Sequence, residues 1–81
     1  MRAINVIAQE IETEWSKKGT GVNYAAKPYL DAMHFLLTPQ DTYYADTAHS
    51  IVLYFLSNAR SYTGPVAKSH KAELKQIVGI K

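Results

Sequence analysis

The chain has 81 residues, of which 47% are hydrophobic and 20% are charged, a composition typical of one globular domain. It contains no cysteine, which excludes disulfides and thiolate metal sites and agrees with a reducing compartment such as the cytoplasm. A formal net charge of +2 is too small to indicate nucleic-acid binding by itself, and the longest apolar run, residues 51–56, is too short for a membrane span. The opening MRAINVIAQEIE soon reaches two glutamates, so we expect a first helix there and not a signal peptide.

The first predicted helix covers residues 3–17. Placing successive residues about 100° apart puts its apolar side chains on one stripe and its polar side chains on the opposite face. The stripe consists of Ile4, Ile7, Ala8, Ile11 and Trp15. We expect Gly19 to end this helix, since glycine is common just past the last turn.

The second predicted helix begins at Tyr24 or at Pro28 and ends before Pro39. Proline suits a first helical turn, because its missing N–H has no partner there, and it disfavours helical conformation in the residue before it. The predicted inward face consists of Tyr29, Leu30, Met33, Leu36 and Leu37.

The third predicted helix is the longest and runs from Asp41 or Thr42, either of which suits a cap, to about Tyr62. Its apolar band is broad, which is typical of a central helix that is contacted by more than one neighbour. The band consists of Tyr44, Ala45, Ala48, Ile51, Val52, Phe55, Leu56, Ala59 and Tyr62. We find no sequence signal for a β-hairpin.

The fourth predicted helix begins at Pro65, with Thr63 or Gly64 near its cap. Its predicted inward face consists of Val66, Ala67, Leu74, Ile77 and Val78, and the opposite face carries Lys68, Lys71 and Lys75. Four amphipathic helices predict an all-α fold, a compact bundle that forms a single domain over residues 1–81.

Two D-x-x-H steps raise the question of a metal site, Asp31 with His34 and Asp46 with His49. Carboxylate and imidazole at this spacing on facing helices can hold a dinuclear metal centre. The helical angles place these side chains away from the predicted core, whereas ligands of a core site must point inward. We therefore expect solvated helix faces, with no metal and no cofactor.

His70 falls inside the apolar face of the fourth helix. Its functional interpretation is a catalytic or proton-responsive imidazole, and its structural one is a histidine hydrogen-bonded to a carbonyl or a tyrosine. We favour the structural interpretation, because no nucleophile or paired carboxylate is adjacent in sequence. The segment GTGVN also lacks the preceding strand and the last glycine of a dinucleotide-binding loop. We predict that the protein is not an enzyme.

Some apolar residues project from the predicted outer faces. Several exposed aromatic side chains on adjoining helices indicate contact with another chain, while the alternative is that the bundle itself covers them. The predicted partner-binding residues are Tyr24, Lys27, Asp31, Phe35, His49, Leu53 and Tyr54.

A second interpretation is nucleic-acid binding by the lysine-rich face of the fourth helix. The predicted contacts for this alternative are Arg60, Lys68, Lys71 and Lys75, with stacking from Tyr24, Tyr43, Tyr44 and Tyr62. Glu73 interrupts the basic face, and lysine-rich faces are commonly only solvated, so we rank this alternative second.

Three stretches, NYAAKPYLDAM, SIVLYFLSNARSYTGPVA and KAELK, resemble a group of small uncharacterised proteins encoded by tailed phages and prophages. In that group a helix with a tryptophan precedes segments like YAAKPYLDAM and YFLSNAxxWRGxxA and an ending like IKxEL. The resemblance covers about residues 15–74. It departs at Tyr62 and Thr63, where Trp-Arg is usual, so any role of that arginine is unfilled here.

The resemblance carries no known activity and transfers no catalytic residue. It implies a phage-type protein that acts in the cytoplasm of a bacterial host by binding and blocking a host or defence protein complex, CRISPR nucleases included. A homodimer is compatible with this expectation. A self-associating structural phage protein is the remaining alternative.

Overall fold

The computed structural model describes residues 2–19 and 21–80, and within them the chain forms four α-helices and one small antiparallel hairpin. The predicted all-α bundle is therefore confirmed, with the hairpin as an addition. The elements are α1 (Ile4–Ser16), α2 (Lys27–Met33), β1 (Thr42–Tyr43), β2 (Asp46–Thr47), α3 (Ala48–Ser57) and α4 (Pro65–Val78).

The core is centred on Trp15, which is fully buried near the end of α1. Its indole ring stacks on Tyr62 with 5.0 Å between ring centroids and meets Phe55 edge-on at 6.2 Å. Helix α1 packs against α2 and α4, and α3 packs against the same two helices. The entire apolar stripe predicted for the first helix is buried, which confirms that prediction.

Helix α2 is shorter than predicted and ends at Met33. A tight turn follows, in which the N–H of Leu36 donates to the carbonyl of Met33. After this turn, the carbonyl of Leu36 accepts a hydrogen bond from the N–H of Asn5 at 2.8 Å, and the carbonyl of Leu37 accepts one from the N–H of Ile4 at 3.1 Å. These carbonyls therefore satisfy the free N–H groups at the start of α1. The side chain of Leu37 is exposed, so its predicted inward position is wrong.

The prediction of one helix from Asp41 or Thr42 to about Tyr62 is wrong at both ends. The first part forms the hairpin, and α3 begins only at Ala48, where the Thr47 hydroxyl accepts a hydrogen bond from the N–H of Ser50 at 3.1 Å. At the other end the amide of Asn58 donates to the Tyr54 carbonyl at 2.8 Å. Short polar side chains that bond to nearby backbone groups in this way favour helix termini over helix interiors.

Asp41 fixes the hairpin to the end of the α2 segment. Its Oδ2 atom accepts hydrogen bonds from the N–H groups of Leu37 at 2.8 Å and Thr38 at 3.1 Å, and its own carbonyl accepts from the N–H of Ala48 at 3.0 Å. The N–H groups of Leu37 and then Thr38 hold the pKa of the Asp41 carboxyl below its ordinary value of 3.8. The ionised carboxylate thus stabilises the folded chain.

We expect Asp41→Asn to lower the urea midpoint at neutral pH and to lose this difference from wild type in acid. Because the folded-state pKa is depressed, the stabilisation is present above 3.8 and disappears as the pH falls through the lower folded value. Asparagine keeps an acceptor oxygen but no charge, so the comparison isolates the charge. Urea unfolding of both proteins from about pH 7 down to about pH 2 measures the gap. A gap that stayed constant across this range would contradict the assignment.

Helix α4 begins at Pro65, as predicted, and ends before Gly79, whose φ of 77° is the left-handed conformation that glycine favours at a helix end. Ala67, Leu74 and Ile77 are buried as predicted. Val66 is 47% exposed and its predicted inward position is wrong, because it lies with Val6 at the outer edge of the α1–α4 contact.

No helix in the described ranges, 2–19 and 21–80, has both the length and the apolar character needed to cross a membrane.

Candidate partner-binding surface

Three aromatic rings form a cluster where the α2 segment meets the hairpin. The ring of Phe35 stacks on Tyr43 at 5.4 Å between centroids, and Tyr43 meets Tyr44 edge-on at 4.7 Å. Phe35 is 70% exposed and Tyr44 is 89% exposed, whereas Tyr43 lies partly buried between them. We call Phe35, Tyr43 and Tyr44 the hairpin cluster.

The backbone of the hairpin presents Tyr44 to solvent. Tyr43 pairs with Asp46 across the ladder, which leaves Tyr44 and Ala45 as a two-residue loop. Tyr44 has a φ of 55°, and glycine is the residue usually found at a positive φ in such loops. The predicted inward position of Tyr44 in a helical band is therefore wrong. A bulky residue held in a conformation that costs about 1 kcal/mol or more points to a use for its side chain.

A second stacked pair joins α2 to α3. The rings of Tyr29 and Tyr54 lie 5.6 Å apart at an angle of 28°. Tyr54 keeps 53% of its surface exposed, and Leu53 beside it is also exposed. The exposure of Leu53 confirms its predicted outward placement, and Tyr54, predicted on the flank of its helix, is exposed as well. Tyr29, predicted to face inward, forms the partly buried half of the pair.

Three of the predicted partner-binding residues lie together in a depression beside α2. Tyr24, Lys27 and Asp31 line this depression, whose volume is about 590 Å³. The Lys27 ammonium donates to Asp31 at 2.7 Å, and this hydrogen bond raises the pKa of Lys27. Tyr24 is highly exposed and stands at the edge of the depression.

The predicted partner-binding residues occupy three places: the depression beside α2, the hairpin cluster and the outer face of α3. His49 is exposed one helical turn before Leu53, so the two share a face of α3. Sequence reasoning missed Tyr29 and Leu37 as surface candidates, and it assigned Tyr43 and Tyr44 only to the nucleic-acid alternative. The exposure of Tyr43 and Tyr44 results from a hairpin that the sequence does not indicate, because its loop lacks the usual glycine or asparagine.

The two D-x-x-H steps do not converge on a site. Asp31 is paired with Lys27, and His34 Nε2 lies 2.8 Å from Glu12 Oε1. Asp46 and His49 are exposed on the hairpin and α3. Within residues 2–19 and 21–80, no group of three or more histidine and carboxylate side chains is arranged to hold a metal ion.

His70 belongs to a buried polar network. The Tyr62 hydroxyl lies 2.6 Å from His70 Nδ1, and His70 Nε2 lies 3.1 Å from Glu10 Oε1. Since a carboxylate only accepts, a neutral His70 donates from Nε2 to Glu10 and accepts from Tyr62 at Nδ1. Arg2 pairs with Glu10 and Glu73 at the outer end of the network.

The charges around this network agree with a structural role. Hydrogen bonds from Arg2, and then from His70, hold the pKa of Glu10 below its ordinary value. Burial raises the pKa of Tyr62 to about 12, so its hydroxyl stays protonated and keeps donating. Both ring nitrogens of His70 have partners, which supports the structural interpretation of this histidine over a catalytic one.

The basic residues of the alternative interpretation divide into two groups. Lys68, Lys71 and Lys75 line one groove along α4, while Arg60 is exposed in the preceding loop and is not part of its lining. Tyr62 is fully buried, so its predicted role in stacking on bases is wrong.

Comparison with protein-family models, with curated proteins and with solved structures found no match to this chain.

Proposed function

We propose that the protein is a non-enzymatic binding protein whose exposed aromatic surface docks onto a folded protein partner. The single observation that carries the proposal is the hairpin cluster, in which the exposed rings of Phe35 and Tyr44 flank Tyr43. The Tyr29–Tyr54 pair and the outer face of α3 extend the apolar contact, and Tyr24, Lys27 and Asp31 supply a polar rim.

The exposure of aromatic side chains supports a protein partner. Four of the nine aromatic residues expose more than half of their surface, and all lie between residues 24 and 54. Tyrosine and phenylalanine are enriched at the centres of protein interfaces, because a rigid ring buries a large area at small cost in side-chain entropy. Contact of so many aromatic rings with water is unfavourable, so an exposed aromatic surface indicates a site that a partner covers.

The proposal extends to biological role through the resemblance to small phage and prophage proteins. Such a protein would inhibit a host or defence complex in the bacterial cytoplasm by occupying a surface that the complex needs. Its size suits this role, because blocking requires an interface and not a deep pocket. An aromatic surface that pairs with its own copy would instead make the chain a self-associating structural protein.

The experiment is a comparative capture from nuclease-treated bacterial lysate. Wild-type protein, Phe35→Ala and the matched control Val66→Ala are immobilised, and the retained proteins are identified by mass spectrometry. Val66 is also exposed and apolar but lies on α4, outside the proposed surface. We expect one protein complex to be retained by wild type and by Val66→Ala and lost with Phe35→Ala.

Two other outcomes would count against the proposal. Equal retention of every protein by both variants would show that Phe35 is not part of an interface. If the immobilised protein retained only further copies of this chain, and Phe35→Ala abolished that retention, the surface would serve self-association and not binding of a different protein. The melting temperature of each variant separates loss of binding from loss of fold.

A further inference from the structure

A basic groove runs along α4 on the side that carries its lysines. This groove has a volume of about 740 Å³. It is lined by the turn at residues 62–65, by Ala72 and by the side chains of Lys68, Lys71 and Lys75. None of its lining residues is acidic. The residues of the groove do not overlap with the aromatic surface, so an inference about the groove does not rest on the proposed function.

Charge is segregated in this molecule. Five of the seven acidic side chains, Glu10, Glu12, Glu14, Asp31 and Glu73, form ion pairs with Arg2, Lys17, Lys27, His34 and His70. Across residues 2–19 and 21–80, none of the three groove lysines is within ion-pair distance of a carboxylate. A lysine face that was merely solvated would more often intersperse both signs of charge. The groove therefore presents a local excess of positive charge.

A fourth ammonium group stands at the edge of the groove. The Nζ atom of Lys18 lies 3.8 Å from the position that a β-carbon would take on Gly64, at the start of α4. Lys18 is also outside every ion pair formed by the described residues. Unpaired cations from two parts of the chain, the segment just after α1 and helix α4, thus lie at one concave surface.

Lys71 is held in place before any ligand arrives. Its ammonium donates to the carbonyl of Ala59 at 2.8 Å and lies 5.9 Å from the centre of the Tyr62 ring. Burial, and then the neighbouring charge of Lys75, lower the pKa of Lys71. An anion in the groove would offset both effects, and the fixed side chain loses little freedom when it binds.

The spacing of the lysines indicates a ligand with more than one negative charge. Lys68, Lys71 and Lys75 follow each other at intervals of three and four residues, so they share one helical face. With a rise of about 1.5 Å per residue, their α-carbons extend over about 10 Å. Successive phosphates along a strand match this span, so each lysine can contact a different phosphate.

We propose that this groove binds the phosphate backbone of nucleic acid through Lys18, Lys68, Lys71 and Lys75, without reading the base sequence. Recognition of bases needs exposed rings or hydrogen-bonding side chains in the groove. The one aromatic residue in its lining, Tyr62, is fully buried, and Thr63 is the one uncharged residue there whose side chain can hydrogen-bond outward. The groove therefore offers charge and shape and little sequence discrimination.

The test is fluorescence anisotropy with labelled duplexes of two unrelated sequences, at several salt concentrations. Neutralising three or four phosphates predicts a fall in affinity of about 40- to 150-fold between 50 and 200 mM salt. We expect Lys68→Gln/Lys75→Gln to lower affinity at least tenfold at low salt and to reduce the salt slope by about two. Both duplexes should bind within about threefold of each other.

Lys27→Gln, made with Asp31 and the rest of the chain intact, is the matched control for loss of a positive charge. Lys27 is paired with Asp31 and lies away from the groove, so this variant should keep the wild-type salt slope. Phe35→Ala should also bind nucleic acid normally, whatever its effect on a protein partner. The lysines chosen for replacement are exposed, so their variants should fold. The melting temperature of each variant checks this.

Four results would overturn the proposal. Affinity that ignores salt would remove the electrostatic basis. Equal losses of affinity per lysine removed, in Lys27→Gln and in the groove double variant, would show a general charge effect. Displacement of the duplex by micromolar inorganic tripolyphosphate would assign the groove to a small polyphosphate. Absence of any duplex binding by the wild-type chain at 50 mM salt would equally refute it.

Discussion

Tyr44→Gly is expected to remove partner binding while leaving the melting temperature unchanged or slightly raised. Loss of an aromatic anchor at the centre of an interface costs about 2 kcal/mol or more, which corresponds to about a 30-fold weaker affinity. The same substitution relieves the positive φ of 55° at this position, where glycine is unstrained. This relief offsets the lost edge contact with Tyr43.

The opposite signs of the two effects make Tyr44 informative. A residue that serves only the fold would give a less stable protein whose binding falls in proportion. Tyr44→Phe is the matched control, because it keeps both the ring and the constrained backbone and should retain most of the affinity. Calorimetric titration of the captured partner and thermal unfolding by circular dichroism measure the two quantities. Unchanged affinity in Tyr44→Gly would remove the hairpin from the proposed surface.

The parts of the fold that could be predicted from sequence are those determined by local pattern. Helix α1 has an uninterrupted apolar stripe that ends in Trp15, and α4 is bounded by Pro65 and Gly79. In each case the periodicity and the terminating residues agree, so local preference and tertiary packing favour the same structure. Helix α1 has nearly the predicted bounds, and α4 begins at the predicted residue.

The region between α2 and α3 could not be predicted in this way, because distant parts of the chain determine it. The carbonyls of Leu36 and Leu37 are taken by the first residues of α1, more than thirty positions earlier. Asp41 then uses its carboxylate on backbone N–H groups and not as a helix cap. Neither contact leaves a periodic signal in the sequence, and a helical pattern over residues 41–47 remained consistent with the apolar spacing.

The candidate surface shows the same division. Helical angles correctly place Phe35, Leu53 and Tyr54 outward, since those angles do not depend on where the helices end. Tyr44 was assigned inward by extending a helix through it, and its exposure follows once that stretch folds as a hairpin. The most exposed ring of the hairpin cluster thus belongs to the residue whose conformation breaks a local rule, which is where functional residues are expected.

Trp15→Ala is expected to remove a large share of the free energy of unfolding. Replacing a buried tryptophan by alanine costs about 3–5 kcal/mol, through lost burial and the cavity that remains. A domain of this length has roughly 0.05–0.15 kcal/mol of stability per residue, or roughly 4–12 kcal/mol in total. Trp15 contacts both Phe55 and Tyr62, so its loss loosens α3, the loop after it and the wall of the basic groove together.

Urea unfolding of two further variants provides values with which the destabilisation by Trp15→Ala can be compared. Tyr62→Phe keeps the stacked ring but leaves His70 Nδ1 without its donor, and should cost about 1–3 kcal/mol. Val6→Ala, at an exposed position on the same helix as Trp15, should change stability by less than about 0.5 kcal/mol. If Trp15→Ala proved no more destabilising than Tyr62→Phe, the aromatic core would not be the main support of the fold. The binding surface and the lysine groove would then have to be held by other contacts, because both are built on elements that pack around Trp15.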